Sequence, residues 1–358
     1  MITLALLATL SATPATFAAV QSHAAAGDTI SLSPGFYGDG LIKSRPVNIT
    51  GPHEAVFHSL SIQPRGSGSI INGPSCDMKP DATTVTFTTC VKIAGTATDP
   101  VKNVRLLNMI IRCGNAVSGI LPDADPHLAA TQAAWKAASK NVLGLPTGVG
   151  LSITYADAPI IQGNNISGCM KGLGVDNTPN ALIDGNEIHH VRTSMLVGAS
   201  NPHLTIAHND LHDTNPWNPR NDGTADHADF IHLWNVLGRP ANSDLTVSGN
   251  RIDQAQGKPT IGIHLDDQKT GLGFANVRVS GNTAIVADNQ GIRIENGNGS
   301  VDHNSLLQPA GLGKVPHIVI CSDPKYCAPS TIAQTANIST AWPLSAKAID
   351  AARHPGTR

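Results

Sequence analysis

"LIDGNEIHH", Leu182–His190, has the order of one turn of a repeating structure: an apolar pair, an Asp-Gly turn, an asparagine and a short strand. The same order returns in "IIQGNNISG" (160–168), "TIAHNDLHD" (205–213), "TVSGNRIDQ" (246–254), "RVSGNTAIV" (278–286) and "SVDHNSLLQ" (300–308). Aligned on Asn165, Asn186, Asn209, Asn250, Asn282 and Asn304, the spacings are 21, 23, 41, 32 and 22 residues, a base period of ~22 with two insertions. An asparagine at a turn is ordinary turn chemistry. Its return in register predicts an inward ladder, with each side chain hydrogen-bonded to the next coil.

A second element precedes each asparagine segment or follows the last: "GLSIT" (150–154), "GLGVD" (172–176), "SMLVG" (194–198), "FIHLW" (230–234), "GIHLD" (262–266), "GIRIE" (291–295) and "HIVIC" (317–321). Each alternates with period two, the mark of a strand with one buried face. Leu151, Leu173, Met195, Ile231, Ile263, Ile292 and Ile318 fall in one inward column, and Ile153, Val175, Val197, Leu233, Leu265, Ile294 and Ile320 in another. Columns of this kind predict an all-β solenoid, a right-handed parallel β-helix. Aromatics are 4% and charged residues 14% of the 358 residues, with 34 glycines, which suits many short strands and turns.

"AAAGDTISLSPGFYGDG", Ala24–Gly40, resembles the opening coil of β-helical polysaccharide lyases and related carbohydrate-active proteins of the pectate-lyase-like superfamily, through Gly27, Asp28, Thr29, Ile30, Leu32, Pro34, Gly35 and Tyr37. With the repeats, the resemblance covers roughly residues 13–322 and implies a superfamily rather than an activity. Residues 1–26 read either as a signal peptide without a basic start, or as a first strand and capping helix with Thr13 as N-cap and Pro14 at N1. The β-helix is expected over 27–327, interrupted by an inserted helix at 123–141 with Asp125 as cap, and residues 328–358 as a C-terminal cap or tail.

A net charge of −2 gives no footprint for nucleic acid, and no apolar run of ~18 residues is present to span a membrane. The six cysteines include no CxxC pair; Cys76 with Cys90 and Cys321 with Cys327 are the expected bridges. Oxidised pairs imply a secreted or extracytoplasmic protein.

Residues between the inward ones point outward and stack from coil to coil. One outward column runs Ser152, Gly174, Leu196, His232, His264, Arg293, Val319; the next runs Thr154, Asp176, Gly198, Trp234, Asp266, Glu295, Cys321. Titratable groups therefore gather on three consecutive coils. His232, His264, Arg293, Asp266, Asp229 and Glu295 are the candidate catalytic residues, with Asp229 placed in a loop over the strand beside Asp226 and His227. Trp234, Trp217, His227, Asp267 and Lys258 are the candidate substrate-binding residues, although Trp217 also fits an anchor for a long loop. Asp266, Asp267 and Glu295 are a candidate calcium set, since hard cations take clustered carboxylates. A second group, His189 and His212 with Asp213, Asp226 and His227, reads as a metal site or as hydrogen-bonded surface histidines.

The chemistry fits a polysaccharide substrate. On a uronate chain, a histidine base with Arg293 or a cation neutralising the carboxylate gives β-elimination; re-protonation from the other face gives an epimerase. The mannuronan epimerase motif Y-G-x-D-P-H is absent. Asp229, Asp266 and Glu295 allow a glycoside hydrolase instead, although the polygalacturonase series N-T-D, D-D, G-H-G and R-I-K is echoed only by "LDD" (265–267) and "GIRIEN" (291–296). A non-catalytic carbohydrate-binding or surface protein is the third reading.

Overall fold

In a computed structural model, residues 7–78, 89–113, 148–214, 229–254, 259–309, 313–320 and 331–340 are described. Their strands pair in parallel throughout and stack into a solenoid: a β-helix, right-handed as connections between parallel strands are. A sheet of 12 strands forms one wall. A sheet of 19 strands makes two further walls that run into one another at a bend, and Val101–Lys102 pairs with Ala156–Asp157 in a separate two-stranded sheet. One of these two carries the long strands Lys171–Asp176, Thr193–Val197, Asp229–Trp234, Ile261–Asp266 and Gln290–Ile294. The other carries the short strands that follow each asparagine, such as Glu187–Val191 and Asp210–Thr214.

Both inward columns are realised in register. Leu151 pairs with Leu173, Leu173 with Met195, Met195 with Ile231, Ile231 with Ile263 and Ile263 with Ile292, and all six side chains are fully buried. Aliphatic residues on a pleated surface pack directly on their copies one coil away, so each coil is stabilised only by its neighbours. At the bend before these columns the backbones of adjacent coils nearly touch. A Cβ on Gly172 would lie 2.8 Å from the Ser194 carbonyl, and one on Gly262 would lie 2.6 Å from the Gly291 carbonyl, which is why these positions are glycine.

The inward ladder exists, with one residue corrected. Asn164, not Asn165, is its member: Asn186 Oδ1 accepts from the backbone N–H of Asn164 at 3.0 Å and from its Nδ2 at 2.8 Å. The same double contact links Asn186 to Asn209, Asn209 to Asn250, Asn250 to Asn282 and Asn282 to Asn304. Each Nδ2 also donates to a carbonyl of the preceding coil, so the buried amides are satisfied by one another. Asn165 points outward to Glu187 and His189.

The coils also run further than the sequence indicated. Thr331–Thr335 pairs with Gly297–Asp302, Ile338–Thr340 pairs with Ser305–Leu307, and Asn337 extends the ladder from Asn304 at 3.0 Å. The β-helix therefore continues past 327 to at least Thr340, and this stretch is a coil rather than a folded-back cap. At the other end, strand Thr9–Ala12 pairs with Thr29–Leu32, and helix Phe17–His23 sets Phe17 against Tyr37 and Phe57 with ring centroids 5.5 Å apart. The helix cap is Thr16 rather than Thr13, because the Thr13 carbonyl closes a turn by accepting from Thr16 and Phe17.

The residues that carry the family resemblance build this end. Asp28 accepts from the N–H groups of Ala8 and Ala25, and the Tyr37 hydroxyl donates to the carbonyls of Ala12 and Ser33.

Cys76–Cys90 is a disulfide as expected, and Cys113–Cys169 is a second that the sequence reading did not pair. The second links neighbouring coils across a separation of 56 residues. Closing a loop of that size removes about 4 kcal/mol of chain entropy from the unfolded state. Cys321 and Cys327, and the expected helix at 123–141, lie outside the described residues.

Candidate active site

The outward columns follow the register read from the sequence: Gly174 beside Leu196, Leu196 beside His232, His232 beside His264, and His264 beside Arg293. One coil apart, the His232 and His264 rings stack with centroids 4.9 Å apart and planes 5° from parallel. Trp234 stands in the adjacent column, in register with Asp266, with its ring 5.2 Å from His232.

Asp229 is corrected from loop to strand. It opens Asp229–Trp234 and is only 4% exposed. From there its two oxygens reach both rings: Oδ1 lies 3.2 Å from His264 Nδ1 and Oδ2 lies 3.5 Å from His232 Nδ1. A buried carboxylate at Nδ1 fixes ring orientation and directs Nε2 the other way. His232 Nε2 faces Asp266 at 3.6 Å and His264 Nε2 faces Glu295 at 3.9 Å. The imidazoles are 1% and 10% exposed, whereas the side chains of Asp266 and Glu295 are 21% and 19% exposed. The arrangement is thus layered outward from the strand: one carboxylate behind, two imidazoles, then two carboxylates at the surface.

Arg293 donates to the Glu295 carboxylate and, through Nη1, to Gln290 Oε1 at 3.0 Å. Its charge is shared with Glu295 before any substrate arrives. Burial presses His264 towards its neutral form, but the hydrogen bond to Asp229 and the nearby Glu295 carboxylate outweigh it and raise the imidazole to about 9. Burial opposes ionisation of Asp266 as well. Contacts to His232, Glu295 and the Gln268 N–H prevail and hold its carboxyl well below the usual range. The site therefore presents a cationic imidazole and an ionised carboxylate side by side at neutral pH.

Asp267 does not join this cluster. The strand alternation turns it inward, where it is 1% exposed. Its oxygens accept from Asn235 Nδ2, Thr270 Oγ1, the N–H groups of Gly271 and Gly273, and Asn296 Nδ2. It pins the loop after the strand, and is neither a substrate contact nor a cation ligand. The expected calcium set of Asp266, Asp267 and Glu295 loses that member.

Two metal-sized donor groups do form. His264, Asp266 and Glu295, and Asp229, His232 and His264, each have one ligand atom per residue within 4.8 Å of the others. A mixed imidazole and carboxylate set suits a zinc- or manganese-like ion better than calcium. A protonated His264 cannot be a ligand, so ion binding and the cationic form exclude each other. Trp217, His227 and Lys258 lie outside the described residues, as does Asp226.

His189 and His212 occupy matching positions on adjacent coils, as read, and stack with centroids 5.0 Å apart. His212 is held between Asp213 at 2.7 Å and Glu187 at 3.1 Å, while His189 contacts His190 and Asn165. This second cluster is satisfied within itself. Sequence reading missed Gln290 beside Arg293. It also missed the pair of Arg239 and Asp176, joined at 2.8 Å on the same face. The column through Asp229 also contains Lys171, which strict alternation would turn inward with Leu173 and which the bend at Gly172 turns outward.

A family model for a right handed beta helix region matches residues 140–306. Among solved structures, DFA-IIIase from Arthrobacter chlorophenolicus A6 without its lid is similar at 14% identity and TM-score 0.51, over 87% of this chain and 79% of that one. Polygalacturonase from Erwinia carotovora ssp. carotovora aligns at 12% identity and TM-score 0.47, over 96% and 97%. Alginate lyase from Paenibacillus sp. str. FPU-7 aligns at 15% identity and TM-score 0.38, over 92% and 95%. No curated protein sequence matches. At such identities the likeness speaks for the fold: the chain is a right-handed parallel β-helix.

Proposed function

We propose that this protein is a polysaccharide-processing enzyme of the extracytoplasmic space that cleaves a uronic-acid-containing chain by β-elimination. The observation that carries the reading is Asp229, one buried carboxylate behind two stacked imidazoles. That layout serves proton transfer by histidine. His232 takes the proton from the carbon next to the uronate carboxylate, and the electrons of that C–H bond form the new double bond. The glycosidic C–O bond breaks, and its oxygen takes the proton of cationic His264. Arg293, positioned by Gln290 and Glu295, offsets charge on the substrate carboxylate. Return of the proton to the opposite face would make the same site an epimerase.

The hydrolase reading fits less well. Asp229 lies beneath the rings, and of the two carboxylates left, Glu295 is already held by Arg293. A divalent ion at His264, Asp266 and Glu295 would need His264 as a neutral ligand, so it would stand in place of the cationic proton donor rather than beside it. The two disulfides support an oxidising compartment.

The test is a panel of acidic and neutral polysaccharides, each with and without chelator, followed by near-ultraviolet absorbance and by new reducing ends. Absorbance from unsaturated uronates that rises with reducing ends, and that disappears in His232→Ala, is the expected result. Reducing ends without absorbance would replace elimination by hydrolysis.

A further inference from the structure

Lys171 opens the strand Lys171–Asp176, in the outward column that continues through Thr193 to Asp229. Its side chain lies along the outer face over Gly174. A Cβ on that glycine would sit 3.2 Å from Lys171 Cδ and 3.9 Å from Nζ. Gly174 leads the column that next carries Leu196, His232 and His264, so the ammonium rests on the same floor as the imidazole pair. It is only partly exposed, and burial lowers its pKa against the partial compensation of Asp176.

Asp176 is not available to neutralise it closely. That carboxylate accepts from Arg239 at 2.8 Å and from Asn177 Nδ2 at 3.0 Å, and it leans over Gly198, where a Cβ would meet its Oδ1 at 2.2 Å. Among the described residues the Lys171 ammonium makes neither a hydrogen bond nor an ion pair, the backbone N–H alone donating to Gly148. A desolvated cation without a counter-ion costs stability, and an incoming anion removes that cost.

We infer that Lys171 is an anion-receiving subsite that takes a uronate carboxylate of the polysaccharide two coils from His232. At ~4.8 Å per coil the offset is roughly 10 Å, close to the length of a disaccharide. A chain lying along the solenoid axis then sets one carboxylate at Lys171 while the bond two sugars on lies at His232 and His264. The inference rests on the proposed reading of the site and deepens it: the enzyme requires charge at a sugar remote from the one that reacts, and its substrate is a run of uronates rather than an isolated one.

The test compares wild type, Lys171→Met and Lys171→Arg by calorimetric binding and turnover. The probes are hexasaccharides of galacturonate, mannuronate and guluronate, with the carboxyl-reduced form of each as control. Lys171→Met keeps the aliphatic stem over Gly174 and removes the charge. Binding to the preferred acidic hexasaccharide should weaken 10- to 100-fold, seen in KM with kcat within about threefold, and Lys171→Arg should recover most of it. Binding of the reduced form should be the same in all three proteins, and the melting temperature of Lys171→Met should equal or exceed that of wild type. A lowered melting temperature with unchanged binding would make Lys171 structural and overturn the inference. Normal acidic binding by Lys171→Met, with ultraviolet-absorbing product still formed, overturns it and leaves the lyase reading intact. Lysine-dependent binding without such product does the reverse, and no binding to any acidic probe by wild type removes both.

Discussion

The β-helix stacks like polar side chains on themselves both inside and outside. Inside, Asn164, Asn186, Asn209, Asn250, Asn282 and Asn304 each donate to the side-chain oxygen of the asparagine on the next coil, ending at Asn337. An amide carries both donors and an acceptor, so a column of asparagines satisfies itself. Outside, His232 and His264 stack just as regularly, but two like imidazoles cannot complete one another, and Asp229, Asp266 and Glu295 must close the network. The inner stack is a structural spine; the outer one is a set of charges held in place by that spine, with its Nε2 atoms turned towards Asp266 and Glu295.

The largest expected effect separates the two stacks by function. His232→Ala should lower kcat on the preferred polyuronate by about 10²–10⁴-fold, the usual worth of a general base, with a melting temperature close to that of wild type. An equal loss of folding stability would mean that the outer stack is a spine as well.

The converse variant is Asn209→Ala. It strips partners from the Asn186 amide, the Ile183 carbonyl and Asn250 Oδ1 together. Buried groups left unsatisfied cost about 1–3 kcal/mol each, so a loss of roughly 3–5 kcal/mol in denaturant unfolding is expected, with kcat per folded molecule little changed. A loss below 1 kcal/mol would show that water or relaxation replaces the ladder.

A third effect is pH-dependent and belongs to the outer stack alone. His264 is raised from 6.5 to about 9 in the folded state. Its contribution to stability is therefore complete below pH 6.5 and is lost as pH rises through 9, up to roughly 3 kcal/mol. Wild type should lose stability relative to His264→Gln between these values. A difference that stays flat across that window would mean that Asp229 and Glu295 do not hold the proton on the ring.

The contrast also explains what the sequence made legible. Aliphatic columns such as Leu173, Met195 and Ile231 survive as a period-two pattern because burial tolerates few substitutes, and the outward register of His232, His264 and Arg293 follows from them by counting. The same counting turns Asp267 inward after Asp266, but its pairing with an acidic neighbour drew it into the cluster. Asp229 was assigned to the loop because the apolar alternation begins only at Phe230, whereas the strand begins one residue earlier. The last coil escaped because "TIAQTANIST" places Gln334 in register with Val301, where the other coils carry an inward aliphatic. Charge sharing, such as Arg293 with Glu295, depends on side-chain directions that no residue pattern encodes.

The smallest effect tests the one-residue error in the ladder. "GNN" at 163–165 offers two asparagines, and only the register decides between them. Asn164 is 1% exposed and exchanges bonds with Met109, Leu106 and Asn186, so Asn164→Ala should cost roughly 3 kcal/mol or more. Asn165 has turned to the outer face, where it donates to Glu187 and meets His189 at 3.2 Å. Partly exposed polar contacts of that kind are worth about 1 kcal/mol or less, and Asn165→Ala should lose no more than that. Unfolding both variants side by side makes the comparison within a single dipeptide: a large loss at Asn165 and a small one at Asn164 would restore the alignment that begins the ladder one residue later.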